Sequence, residues 1–370
     1  MAPEPIDLRS LNRAYLARQL LLERAEMPAL DAIEHLVGLQ AQAPTPPYVA
    51  LWSRLAAFDP DALGGHLLER RAARIVVMRG TIHLLSARDA VPLRRLTQPV
   101  LERGFASATQ YRPGIQGMDF EALAAEASRL LEEAPLVMAD LGLRLQERWP
   151  ARDAASMAYA ARCLLPLVQL PPRGVWGRSG KPVLAHASAW LAGMQERECS
   201  LEDLVLRYLA AFGPASVADM QAWSGLTRLK EMFETLRPRL RTFRPESGPE
   251  LFDLPEAPRP GADIEASVRF LPEFDNATLS HADRTRIVED AFRRRIATRN
   301  GMVPGTCLVD GFVAGTWTLR RKKGLATLRI EEYRPLTRGE RIALEEEGSR
   351  LAVFMEPEAG AVEVEFAEMG

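Results

Sequence analysis

Cysteine is scarce in this chain. Cys163, Cys199 and Cys307 are odd in number and far apart, which excludes a disulfide framework and fits a reducing compartment. His35, His66, His83, His186 and His281 show none of the close spacings that zinc sites use, so no metal and no cofactor is expected. Lysine is limited to Lys181, Lys230, Lys322 and Lys323, leaving arginine to carry most of the positive charge. No apolar run is long enough to cross a bilayer, and Met1-Ala2-Pro3-Glu4-Pro5 has neither a basic region nor an apolar stretch, so no export signal is expected. Nucleophile elbow, phosphate loop and dinucleotide fingerprint are all missing.

What is present is a chain of 370 residues, 47% hydrophobic and 26% charged, which predicts a folded protein of two to four modules. A net charge of -2 argues against nonspecific polyanion binding as the sole purpose. Nucleic acid remains open, because affinity follows local cation clusters. Such clusters lie at Arg237, Arg239, Arg241 and Arg244, at Arg293, Arg294 and Arg295, and at Arg320, Arg321, Lys322 and Lys323. A charged run is equally compatible with a solvated face.

Residues 201–254 are the clearest unit. A periodic segment from Leu201 stops at Phe212-Gly213-Pro214. Ser216 then caps a second helix and Thr227 a third, and two strand-like runs follow around 240–243 and 251–254. Three helices and a hairpin predict a winged helix. An approximate copy runs over 120–190, with strands expected at Val168-Gln169-Leu170 and Val175-Trp176-Gly177. The first third predicts helices near 8–24, 29–39, 47–57 and 60–70, then a hairpin of 74–78 with 81–85. After the proline-rich stretch 255–261, strands alternate with a helix near 337–355. The expected architecture is α+β: three tandem winged helices (1–118, 119–195, 196–260) in a C-shaped arrangement, and a mostly β domain over 261–370.

Few polar groups stand in chemically suggestive company. Gln40 and Gln42 follow Gly38 and precede Pro44-Thr45-Pro46-Pro47. Locally extended, they point to one side. Amides are poor general acids or bases, so on residue type alone the pair reads as a capping or hydrogen-bonding feature. In Met78-Arg79-Gly80-Thr81-Ile82-His83, Arg79 is a candidate phosphate contact, while His83 is either a catalyst or a half-buried, hydrogen-bonded strand residue. Glu273, Asp275 and His281 form a polar cluster or a set of turn and cap residues. The tip Arg320–Lys323 is a phosphate probe or a soluble turn.

The stretches Val37–Ala43, Pro47–Trp52, Met78–Leu84, Arg173–Gly177, Phe212–Asp219 and Leu271–Asn276 resemble, in order, the AlkZ/YcaQ-like winged-helix DNA glycosylases. Gln40-Ala41-Gln42 is similar to the AlkZ-type signature with two glutamines. The resemblance implies a monofunctional N-glycosyl hydrolase acting on bulky N7-alkylguanine, interstrand crosslinks included, in a producer that resists its own DNA-alkylating product. It implies Gln40 and Gln42 as catalytic residues. Beside it, the residue pattern puts Arg79, His83, Arg320, Arg321, Lys322 and Lys323 on DNA, the tip because three winged helices share the chain, and Tyr48, Trp52, Asp275 and His281 along the site. The implied partner is double-stranded DNA carrying alkylated guanine, met by a monomer in the bacterial cytoplasm, at the nucleoid, with no membrane or protein partner.

Alkylation at N7 makes guanine a cationic leaving group, so no general acid is needed, unlike a glycosidase with two carboxylates. Oriented amides that hold a water then suffice. The rival expectation is a non-catalytic winged-helix regulator that reads an operator, with Arg228, Lys230 and Glu231 on its recognition helix.

Overall fold

The computed structural model describes residues 3–296 and 303–367, and its α+β fold is organised by three sheets among those residues. Helix Leu201–Phe212 starts in a capping box of Ser200 and Asp203, and helix Val217–Ser224 repeats the device with Ser216 and Asp219. Each box satisfies N–H groups that a helix start leaves unpaired. Helix Lys230–Leu236 follows, and strands Arg241–Pro245 and Leu251–Asp253 pair antiparallel. Strand Glu4–Ile6 joins this hairpin in parallel, an addition that nothing in the local sequence announces.

The six-stranded sheet carries the N-terminal half. Strands Ala72–Val76 and Ile82–Ser86 form the expected hairpin, and Leu39–Gln40 pairs with the outer side of Ile82–Ser86. Across the other edge, Ala72–Val76 pairs with Leu167–Gln169. Main-chain pairing therefore crosses the division expected at 118/119. The strand expected at Val175–Gly177 is a turn. The true partner of Leu167–Gln169 is Val183–His186, reached after the Pro- and Gly-containing loop 171–180. Strand Leu136–Val137 completes this sheet on Val183–His186.

The C-terminal sheet runs in chain order through Arg269–Leu271, Gly305–Val309, Phe312–Lys322, Leu325–Glu332 and Ala361–Ala367. The last two strands are parallel, so helix Arg338–Met355 makes the crossover that parallel pairing requires. It also sends Phe354 against Trp52 and Trp176, with ring centroids 5.8 and 5.0 Å apart.

The first helix, Leu8–Arg18, ends six residues earlier than expected, at a left-handed Leu20. Its last turn is a clasp. Arg18 donates to the carboxylate of Asp253 at 2.5 and 2.8 Å, with both side chains fully buried, and Gln19 donates to the Ala211 carbonyl. A second buried pair, Arg54 with Asp275 at 2.7 and 2.8 Å, ties helix Pro46–Arg54 to the segment after strand Arg269–Leu271. Removing one partner of such a pair is costly, because an uncompensated buried charge remains.

Candidate active site

Helix Ala29–His35 stops short of the glutamines. Val37 and Gly38 then take positive φ (53° and 94°) and turn the chain into strand Leu39–Gln40. A Cβ on Gly38 would sit on the Leu85 side chain and 3.2 Å from the Leu84 carbonyl, so this close, left-handed turn favours glycine. Asn276 fixes it from outside by donating to the Gly38 carbonyl at 2.8 Å.

Gln40 faces His83 across the sheet, and the next register position opposes Ala41 to Ile82. Ala41 donates to the Ile82 carbonyl at 2.7 Å. The return bond is made by a side chain: Ile82 N–H donates to Gln42 Oε1 at 2.9 Å. Gln40 is only 7% exposed, and its Oε1 accepts from Arg79 Nη2 at 2.7 Å. Gln42 is exposed. Each amide oxygen thus accepts one protein hydrogen bond, which fixes which end of the amide is which. Among the described residues each keeps a second lone pair, and each NH2 keeps its donors. Among the described residues no group of three or more His, Cys, Asp or Glu is placed to hold a metal.

The family described as DNA glycosylase AlkZ-like matches residues 33–354, most of the chain. The chain belongs to the AlkZ-like DNA glycosylase family. It is 24% identical over 328 residues to an interstrand DNA cross-link repair glycosylase from Streptomyces sahachiroi, covering 82% of this chain and 85% of that protein. The solved structure of Streptomyces sahachiroi DNA glycosylase AlkZ superposes with a TM-score of 0.78 at 19% identity, covering 98% of this chain and 100% of that one. At that identity the likeness is one of fold.

In this AlkZ-like chain the other candidates divide by where their polar atoms go. Arg79, expected on DNA, spends its guanidinium on Gln40 and on the Trp223 carbonyl. Here it is a partner of Gln40, with its side chain only partly exposed. His83, also expected on DNA, is fully buried. Its Nδ1 lies 3.1 Å from the Thr81 carbonyl, and its Nε2 has no partner among the described residues. Burial depresses its pKa to about 3, with the nearby Arg79 cation adding to the shift.

The unfolded chain therefore binds a proton at His83 near pH 6.5 and the folded chain does not. Between those values the unfolded state holds more protons, so this contribution to stability is lost as pH falls through 6.5 towards 3. We expect the drop in Tm between about pH 7.5 and about pH 5 to be smaller in His83→Gln than in wild type.

Three residues expected along the site make pairing, capping or packing contacts. Asp275 is consumed by Arg54 and by capping Ala277 N–H. His281 is buried between the Phe212 carbonyl and Ser280, edge-on to Tyr15, and is held neutral by desolvation. Trp52 stacks on Phe354 beneath the Arg24 guanidinium. Tyr48 is nearer: its hydroxyl donates to the Gly174 carbonyl at 2.7 Å, and its pKa is pushed up to about 12 by burial. It supports the wall of a cleft of about 430 Å³ that Pro44, Thr45, Arg173, Trp176 and Arg178 also line.

The tip cations are all exposed, Arg320, Arg321 and Lys322 at the end of strand Phe312–Lys322 and Lys323 in the turn to strand Leu325–Glu332. Arg321 is partly neutralised by Glu356 at 3.3 Å. The cluster at 237–241 is different in kind, since Arg237 pairs with Glu234 and Glu250, Arg239 with Glu202, and Arg241 with Glu4.

Composition did not point to Arg74 or Asn276. The available signal for Arg74 was a lone cation in the run Ala72-Ala73-Arg74-Ile75-Val76, every member of which is buried.

Proposed function

We propose that this AlkZ-like enzyme acts on double-stranded DNA and hydrolyses the N-glycosidic bond of bulky N7-alkylguanine. Unhooking of interstrand crosslinks, and self-resistance in a producer of a DNA-alkylating product, belong to the same reading. The observation that carries it is a pair of neutral amides, each oriented by a protein donor on its oxygen, with Gln42 open to solvent. The name of the Streptomyces relative supports the crosslink as substrate.

In this reading a water held by the free lone pair of Gln42 Oε1 attacks C1′. The C1′–N9 bond breaks, its electron pair goes to the base and cancels the N7 charge, and the proton of the attacking water passes to bulk solvent. Gln40 orients the sugar or the water with its NH2, because the Arg79 cation makes its oxygen a weaker acceptor. An undamaged base, a poor leaving group, gains too little from two dipoles to depart. The 430 Å³ cleft lies on the loop that follows Gln42, and it suits a lesion too large for a closed base-flipping pocket.

The same reading takes the chain as a monomer of the bacterial cytoplasm and nucleoid. Winged helices in 1–195, where the first two share one six-stranded sheet, and in 196–260 form a C-shaped surface for the duplex, and the basic tip in 261–370 grips the strand. Replacing Arg320, Lys322 and Lys323 with alanine should weaken binding of lesion duplex and flatten its log–log salt dependence, by roughly 0.9 for each phosphate that the tip neutralises. Titrations at several salt concentrations check this, and unaltered affinity and slope would remove the tip from the interface.

A panel of duplexes bearing 7-methylguanine, a bulky N7 adduct, an N7–N7 crosslink or undamaged guanine tests the substrate class. Mass spectrometry should find free modified base from the alkylated members and none from the undamaged one. Release from undamaged DNA at a comparable rate would contradict it.

A further inference from the structure

Two arginines approach the glutamines from the protein side, and neither has a carboxylate partner among the described residues. Arg74 is 1% exposed. It donates to the carbonyls of Ala41 at 2.8 Å and Ala43 at 3.4 Å, and its Nε lies 3.3 Å from Gln169 Oε1. A Cβ on Gly174 would come within 2.6 Å of Arg74 Cδ, so the loop that Tyr48 holds closes over this side chain. A buried, unpaired guanidinium is costly, and packing alone gives no reason for one here.

The ladder supplies the reason. Residues opposed as Ala41 and Ile82 are would ordinarily exchange both N–H···O bonds. Here the Ala41 carbonyl is turned to Arg74, and the vacated Ile82 N–H is taken by Gln42 Oε1. On the other side Arg79 grips Gln40 Oε1 and links it to the Trp223 carbonyl.

We propose that Arg74 and Arg79 are positioning residues for the two glutamines. Arg74 holds the Ala41 carbonyl out of the sheet, so that the Gln42 amide locks onto Ile82. Arg79 fixes Gln40 by its oxygen. The inference rests on the reading that Gln40 and Gln42 act at the glycosidic bond, and it gives both arginines a role that requires no contact with DNA.

The test uses the full chain labelled with 15N in glutamine side chains, with the NH2 signals of Gln40 and Gln42 assigned from Gln40→Ala and Gln42→Ala. In Arg74→Met the Gln42 signals should collapse to a solvent-averaged pair, and in Arg79→Met those of Gln40 should do so. If Arg74→Met does not fold, Arg74→Gln is read in the same way. Unperturbed signals overturn the proposal. This arm needs no DNA, so it fails or succeeds independently of the glycosylase reading.

The second arm is single-turnover excision from lesion duplex. Arg79→Met should slow it at least about tenfold at unchanged Kd, and Arg79→Met/Gln40→Ala should be within about twofold of the slower single variant, because one residue acts through the other. Arg79→Lys, which keeps a cationic donor at a single nitrogen, should recover part of the rate. Multiplying losses, or a weaker Kd with an unchanged rate, would contradict the proposal, the latter by making Arg79 a DNA contact.

Discussion

Gln42→Ala is expected to slow single-turnover release of an N7-alkylguanine by about 10²–10³-fold, the loss typical of one oriented polar group at a developing charge. Affinity for the lesion duplex should hardly change, because the amide acts on the water and the sugar and not on the phosphates. Stability should also change little. The bond from Ile82 N–H to Gln42 Oε1 is solvent-exposed, so water can replace the lost acceptor, and exposed substitutions of this kind stay within about 0.5 kcal/mol. Gln40→Ala is a contrasting case. It strips a partner from a largely sequestered guanidinium, so part of its effect should appear in Tm, at about 1–3 kcal/mol. Measuring rate, Kd and Tm on both variants separates the two roles. A normal rate in Gln42→Ala would remove that residue from the chemistry.

Asp275→Ala should produce the largest loss of stability, about 3–5 kcal/mol. The carboxylate meets both terminal nitrogens of Arg54, with both side chains out of solvent. Alanine would leave Arg54 charged and buried, although it would still donate to the carbonyls of Gln19 and Ala50. The damage should reach the site as well. Asp275 caps the short helix Asn276–Leu279, and Asn276 is the residue that holds the Gly38 carbonyl. Excision should therefore weaken in Asp275→Ala at temperatures where it remains folded, whereas Asn276→Ala should cost activity with a smaller fall in Tm. Denaturant titration and single-turnover assays check both. An Asp275→Ala variant as stable as wild type would contradict the energetic role given to this pair.

The parts of this molecule legible in its sequence are those fixed by neighbours in the chain. Ser216 announces a helix start, and its box with Asp219 forms, whereas the helix expected to be capped by Thr227 begins only at Lys230, with no side-chain cap. Apolar runs around Arg79-Gly80 predict a hairpin, and strands Ala72–Val76 and Ile82–Ser86 make it. What escaped was set by distant partners. Strand Val183–His186 lies beyond a loop whose length the local pattern does not encode, so Val175–Gly177 was the nearer candidate. Asp275 and His281 have the residue types of a reactive cluster. Their roles depend on Arg54, 221 positions away, and on the Phe212 carbonyl, 69 positions away.

The candidate site divides along the same line. Gln40-Ala41-Gln42 is visible as a motif, and Gly38 as the turn before it. The grip of Arg79 on Gln40 and of Arg74 on Ala41 links residues more than thirty positions apart. Residue type alone made Arg79 a candidate phosphate contact, and its bonds to Gln40 and to the Trp223 carbonyl give it partners within the protein.

If two oriented amides suffice to release a cationic base, removing both should abolish catalysis. A duplex with a single N7-alkylguanine is incubated with excess wild type or with Gln40→Ala/Gln42→Ala, and free modified guanine is quantified by mass spectrometry over time. Wild type should release the base rapidly and the double variant only near the spontaneous rate, at matched occupancy of the DNA. Equal release by the two proteins would contradict this expectation.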